Sequence, residues 1–259
     1  MTESGRFTGG AGRLRVSALG CGAVLLALLG WIGAEWLLWP SVAALQNATP
    51  ETTAFLDRYR ARRNLEPDLP PLRWEWTDAV SPFLARAAVA AEDLEFFSHA
   101  GFSTHEIGVA IREAIAEGEV PRGASTITQQ LAKNLWLSSS RNPSRKLKEA
   151  LLTVQLERHL TKDRILHLYM NVVEFGTGIY GAEAAARYYF GRRAADLNPL
   201  EASQLAASLP RPSSWNPNST SGAYWAHVDR VWDRMRKAEF LDRHIPGSAI
   251  TPDAIIRRR

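Results

Sequence analysis

The stretch GASTITQQLAKNLWL, residues 123–137, decides how the rest of the chain is read. Thr126 and Gln129 stand at the spacing of a capping box, in which a hydroxyl takes a helix-start N–H and a carboxamide reaches back to the cap's own N–H. Leu131, Leu135 and Trp136 then fall on one helical face. Ser125, Thr126, Thr128, Gln129 and Gln130 carry more hydrogen-bonding capacity than a cap requires. Free N–H groups at a helix start, with Lys133 about two turns in, suit phosphate oxygens. An over-polar cap with a lysine stem lying along apolar surface is the structural alternative. The G-x-x-x-x-G-K spacing is absent, which excludes a P-loop.

Helical signals continue on both sides of this stretch. Towards the N-terminus, Ser103 and Glu106 form another capping box before Ile107, Ile111, Ala114 and Ile115, a stripe that stops at Gly118. Towards the C-terminus a helix is expected over about 145–160, and Thr161 caps the next, which carries Ile165, Leu168 and Tyr169. Further helices are expected around 181–190, 200–208 and 222–242. Alternating β-branched runs are few after Pro82, so the pattern predicts one mostly α-helical domain.

Two flanking segments add charge. In AVAAEDLEFFSHAG, residues 88–101, Glu92, Asp93 and Glu95 fall near the C-terminal end of a helix, where the macrodipole disfavours them. A solvated acidic turn would account for such a trio. The functional alternative is a general base, because a poorly solvated carboxylate gains proton affinity towards working pH. His99 reads as a hydrogen-bonding partner of the loop and Gly101 as a cap or tight turn. In RNPSRKLKEALLTVQLE, residues 141–157, Arg141, Arg145, Lys146 and Lys148 accompany Glu149, with Leu147, Leu151 and Val154 as an apolar stripe. An exposed i, i+4 pair between Arg145 and Glu149 is the modest structural reading. A cluster of cations that stabilises charge on a departing diphosphate is the functional one. No nucleic-acid motif accompanies the cluster, and nucleic acid is not expected as a partner.

The whole chain has 259 residues, 46% hydrophobic and 22% charged, which excludes wholesale disorder and a collagen-like fibre. Its 1 Cys excludes a disulfide framework or cysteine-built zinc site. The formal charge of +4 is mild and suits an anionic membrane or a phosphate-bearing substrate. Val16 to Trp39 is apolar apart from Glu35, which as a helix spans about 36 Å, enough to cross a hydrocarbon core of about 30 Å. Arg6, Arg13 and Arg15 precede it, which places the N-terminus in the cytoplasm and the domain outside. The run exceeds a normal signal-peptide core, so an uncleaved anchor is expected. The organisation read from the sequence is a cytoplasmic segment 1–15, an anchor 16–39, a Pro-containing linker and start of domain 40–80, the main domain 81–245 and a basic tail 246–259.

In chain order, EDLEFFSHAG, GASTITQQLAKNLWL, RKLKEALLTVQLE, KDRILHLYMNVVEFGTGIYGAEAAARYYFG and LEASQLAASLPRPSSWNP resemble the successive motifs of the peptidoglycan glycosyltransferases, over residues 92–217. The anchor and length resemble the monofunctional biosynthetic form; the S-x-x-K and K-T-G elements of a transpeptidase do not occur.

That resemblance implies a mainly α, lysozyme-like domain with a head lobe and a jaw lobe that dips into the membrane. It implies polymerisation of lipid II onto a growing glycan chain through β-1,4 bonds, with inversion and release of undecaprenyl diphosphate, at the outer face of a bacterial cytoplasmic membrane. Glu92 falls on the family's catalytic base and Glu149 on its second carboxylate, tied to the donor diphosphate or to a divalent cation, Mg²⁺ or Mn²⁺; no organic cofactor is implied. Lys133, Arg141 and Arg145 fall on the diphosphate-holding positions. Asp93, Ser125, Thr126, Gln129, Gln130 and Asn134 match positions that support the cleft. Cell-wall synthesis proteins are the implied protein partners. Two rivals share these residues: a lysozyme-like hydrolase with Glu92 as general acid, which has little use for the cations, and an anchored scaffold without activity.

Overall fold

The structure is a computed structural model that describes residue 30 and residues 39–103, 125–137 and 143–250. The chain divides into two compact units, residues 1–41 and 42–259. Almost all of the first unit, with the expected anchor, lies outside the described residues, as do the expected 107–118 helix, Arg141 and the tail from 251 onward. Among the described residues no helix is long and apolar enough to cross a membrane.

The second unit is mainly helical. Among its described residues the helices are α1 (Ala54–Leu65), α2 (Pro82–Glu92), α3 (Ile127–Trp136), α4 (Pro143–His159), α5 (Lys162–Val172), α6 (Ala182–Phe190), α7 (Pro199–Ser208) and α8 (Gly222–Lys237). Short strands β1 (Arg73–Trp74), β2 (Glu174–Gly176) and β3 (Ile179–Tyr180) form one small sheet in the order β1-β3-β2. α2 starts at Ser81, whose hydroxyl accepts from the Phe83 N–H, with Pro82 in the first turn, where its missing donor costs nothing. Leu84, Ala87, Ala88, Val89 and Ala90 are all buried, so this helix has core on most of its circumference, and its alanines let α7 and α8 pack against it. In a second group, α3 packs against α4 and α5, with α1 alongside.

Arg86 of α2 is 1% exposed, and its guanidinium is held by the carbonyls of Met235 and Ala238 at 2.8 and 2.9 Å and by Asp242. These contacts explain a departure from the sequence pattern. The helix expected over 222–242 ends at Lys237 and resumes as a 3₁₀ turn over Glu239–Arg243, because the buried cation draws carbonyls from the α8 end.

The region expected as linker also holds more structure than its prolines suggest: a 3₁₀ turn at Val42–Gln46, α1 and β1. α1 is capped by Thr53 yet buries only Leu56 and Tyr59, too few apolar positions for a visible period. Those two side chains cluster with Tyr180 of β3. β1 pairs parallel with β3, while β2 and β3 form an antiparallel hairpin with an irregular register between Glu174 and Gly176. The hairpin turns at Gly178, with φ of 76°, and a Cβ there would lie 2.5 Å from the Tyr59 hydroxyl oxygen. Backbone and packing thus both require glycine.

Candidate active site

Glu92 is the last residue of α2 and Asp93 its C-cap. The acids that oppose the dipole of α2 find compensation in the next helix. Asp93 is buried, accepts from the Ile127 N–H at the start of α3 at 3.0 Å and takes Nε2 of His99 at 2.9 Å. Its charge therefore sits at a favourable helix N-terminus. Nδ1 of His99 accepts from the Gly101 N–H at 3.0 Å, so the neutral ring presents its N–H to Asp93.

α3 starts with the capping box that the sequence proposes. The Thr126 hydroxyl accepts from the Gln129 N–H, the Gln129 carboxamide oxygen accepts from the Thr126 N–H, and the same hydroxyl donates to the Gly101 carbonyl at 2.7 Å. Thr126 and Gln129 are thereby used up in building the helix start. Gln130, one position on, points elsewhere. Its Nε2 donates to Oε2 of Glu92 at 2.8 Å and reaches the Ser125 carbonyl at 3.4 Å, while its Oε1 accepts from the Tyr169 hydroxyl of α5 at 2.9 Å. Asn134 donates back to the Gln130 carbonyl at 2.9 Å.

The second carboxylate sits among cations. Glu149 is 3% exposed; Arg145 donates to its Oε2 at 2.9 Å and Lys146 to its Oε1. Burial pushes the Lys133 ammonium below its ordinary value; Glu149 opposes that shift, Arg145 and Lys146 add to it, and Glu92 opposes it. Lys133 therefore feels both carboxylates and links the two centres electrostatically. Lys133, Arg145 and Lys146 exceed Glu149 in charge, which favours an anion beside them.

Of the residues singled out from the sequence, the structure bonds Gln130 to Glu92, sets Lys133 within electrostatic reach of Glu149 and of Glu92, ties Glu149 to Arg145, and places Asp93, Thr126 and Gln129 in the frame behind them. Ser125 contributes its carbonyl at the start of α3. Two side chains escaped the sequence reading. Tyr169 looked like part of the apolar face of α5, although a buried tyrosine ordinarily finds a partner for its hydroxyl. Arg58 comes from the segment expected as linker; it donates to the Leu137 carbonyl at 2.8 Å and experiences the charge of Arg145. Both oxygens of Glu149 are engaged by cations, and among the described residues no group of three His, Cys, Asp or Glu side chains could hold a metal. The described donors do not fit a protein-built cation cage.

A family model described as "Transglycosylase" matches residues 71–236. The chain belongs to the transglycosylase family. Transglycosylase relatives extend over most of its length, and each of the following is named "Biosynthetic peptidoglycan transglycosylase". That of Laribacter hongkongensis is 48% identical over 204 residues, covering 78% of this chain and 85% of the relative. That of Alcanivorax borkumensis is 44% identical over 192 residues, covering 74% and 76%. That of Aromatoleum aromaticum is 40% identical over 235 residues, covering 86% and 97%. This transglycosylase is a peptidoglycan glycosyltransferase, and its activity is glycan-strand polymerisation in cell-wall synthesis.

Proposed function

We propose that the chain transfers a growing lipid-linked glycan onto lipid II, with Glu92 as general base and the cations around Glu149 as the diphosphate site. The acceptor 4-hydroxyl gives its proton to Glu92 while its oxygen forms a bond to C1 of the growing chain. The C1–O bond to the diphosphate breaks on the opposite face, its electron pair leaves with the diphosphate, and C1 inverts. Lys133 and Arg145, with Arg141 by motif position, meet the charge that develops on the leaving oxygen. Glu149 holds Arg145 and Lys146 in place for that task.

The observation that carries this reading is geometric: Arg145 and Lys146 are held on the buried Glu149 carboxylate, with the half-buried Lys133 within electrostatic reach of it. A hydrolase acting on a phosphate-free glycosidic bond has no use for that arrangement. The Val16–Trp39 run supports a single-pass anchor with the domain on the outer face of the cytoplasmic membrane, where lipid II is presented. The motif resemblance supports a lysozyme-like head and jaw organisation, and cell-wall synthesis proteins are the partners that such an anchored enzyme would meet.

The test uses the full chain in detergent with labelled lipid II, separating polymer from monomer for the wild type and for Glu92→Gln. Polymer from the wild type, lost in a folded Glu92→Gln variant, is the expected result. Equal polymer from both overturns the base assignment; degradation of finished glycan without synthesis favours the hydrolase.

A further inference from the structure

We propose that Tyr169 is a positioning residue for the reaction, acting through Gln130 to keep an N–H donor directed at Glu92. The inference rests on Glu92 being the base. A carboxamide can face a neighbour with its oxygen or with its NH₂, whereas an ionised carboxylate only accepts. The Tyr169 hydroxyl donates to Gln130 Oε1 at 2.9 Å, and the NH₂ on the other side of the same carboxamide meets Glu92 Oε2 at 2.8 Å. The two bonds form one chain with a single polarity, running from α5 through α3 to the end of α2. Tyr169 is 0% exposed and its neighbours Ile165, Leu166, Leu168 and Met170 are buried, so the phenol is fixed by packing.

Without the hydroxyl, Gln130 Oε1 is left without its donor from α5, and the carboxamide keeps its orientation only through Glu92 Oε2 and the Ser125 carbonyl, so the flipped orientation becomes more accessible. The flipped orientation sets an oxygen against Glu92, which favours the protonated carboxyl, since only that form can donate back. Loss of the Tyr169 hydroxyl therefore raises the proton affinity of Glu92 and depletes the base at low pH. Among the described residues, the charged groups near Glu92 include Lys133 on α3, Asp93 with its partner His99 after α2, and Arg234 of α8, whose guanidinium reaches the Ala91 carbonyl at 3.3 Å. Tyr169→Phe alters none of these charges. Burial, with Glu92 and Asp93 adding to it, keeps the phenol neutral well above its ordinary range, so the substitution removes a hydrogen bond and no charge.

The experiment is the pH profile of lipid II polymerisation by the full chain in detergent, for wild type, Tyr169→Phe, Gln130→Leu and the double variant, with Glu92→Gln as reference and thermal melting to establish folding. The acid limb is expected to move up by about half a unit in Tyr169→Phe and about one unit in Gln130→Leu, with the double variant matching Gln130→Leu. An unmoved limb in folded Tyr169→Phe, or a double variant shifted beyond Gln130→Leu, overturns the proposal. Should Tyr169→Phe not fold, 3-fluorotyrosine placed at position 169 offers a stronger hydroxyl donor of nearly the same shape. It should move the limb down, and no movement overturns the proposal. An acid limb that stays put while Glu92 remains essential removes only the role of Tyr169; a fully active Glu92→Gln removes the base assignment and this inference with it.

Discussion

Glu92 and Glu149 are two carboxylates within electrostatic reach of one lysine, yet their immediate settings differ. Glu92 Oε2 accepts from a neutral carboxamide. Glu149 offers one oxygen to Arg145 and the other to Lys146. A carboxylate whose two oxygens are both bound to cations is a counter-charge that organises an anion site. A carboxamide N–H, as at Glu92 Oε2, orients a carboxylate without supplying a counter-charge of its own. The sequence marks both acids; the cations on Glu149 come from its own helix, α4, whereas the carboxamide on Glu92 is brought by α3.

The largest expected effect lies at Glu92. Glu92→Gln should reduce polymerisation by about 10²- to 10⁴-fold, the usual worth of a general base, and abolish the acid limb of the pH profile. Glu149→Gln should keep that limb and lose rate through misplaced cations. It should also lower unfolding free energy by about 2 kcal/mol, less than for a wholly buried pair, since the Lys146 side chain is 55% exposed. An acid limb lost in Glu149→Gln would break the comparison.

Lys133 sharpens it. If the ammonium must be charged to hold diphosphate, activity should fall on the alkaline side below the ordinary lysine range, because burial lowers its proton affinity. Lys133→Arg keeps the charge at all accessible pH, so the alkaline fall should move up. A fall unchanged in Lys133→Arg would assign that limb to another group.

A third carboxylate, Glu174 at the start of β2, provides a further test. Burial raises Glu174 from 4.5 to about 7, against the pull of the Gly178 amide and the Tyr180 hydroxyl. Its neutral form is favoured by folding, so the associated stability is fully present below the unfolded value and is lost as pH rises through the folded one. Glu174→Gln should therefore raise the melting temperature at about pH 8.5 more than at about pH 5. Equal shifts at both would contradict the burial argument.

The smallest effect is structural. Thr126→Ala removes the cap of α3 and should cost about 1 kcal/mol in denaturant unfolding. A change in catalytic rate much larger than that in stability would mean that Thr126 acts at the site as well as in its frame.

Much of the fold was legible because helix signals are local. Thr126 with Gln129 announced the start of α3, and Thr161 announced that of α5, since a cap needs only residues within one turn. α1 was not legible, because two buried residues in a run of arginines leave no stripe to detect. The small sheet escaped for a similar reason: strands of two or three residues are too short for alternation, and β1 finds its partner only after a long excursion of the chain. At the site, the charged candidates stood out by type. The hydroxyl of Tyr169 and the guanidinium of Arg58 did not, because their targets lie 39 and 79 positions away.

The sequence by itself determined which groups can do chemistry: one acid at a helix end, a polar helix start, a cluster of cations, and an apolar run of membrane-spanning length. Those properties follow from composition over a few consecutive residues. The tertiary structure alone decided that Glu92 accepts from the Gln130 carboxamide, that Asp93 serves the start of α3, and that the carbonyls at the end of α8 turn to Arg86. Each depends on elements distant in the chain meeting at hydrogen-bonding distance, and local spacing carries no record of that meeting.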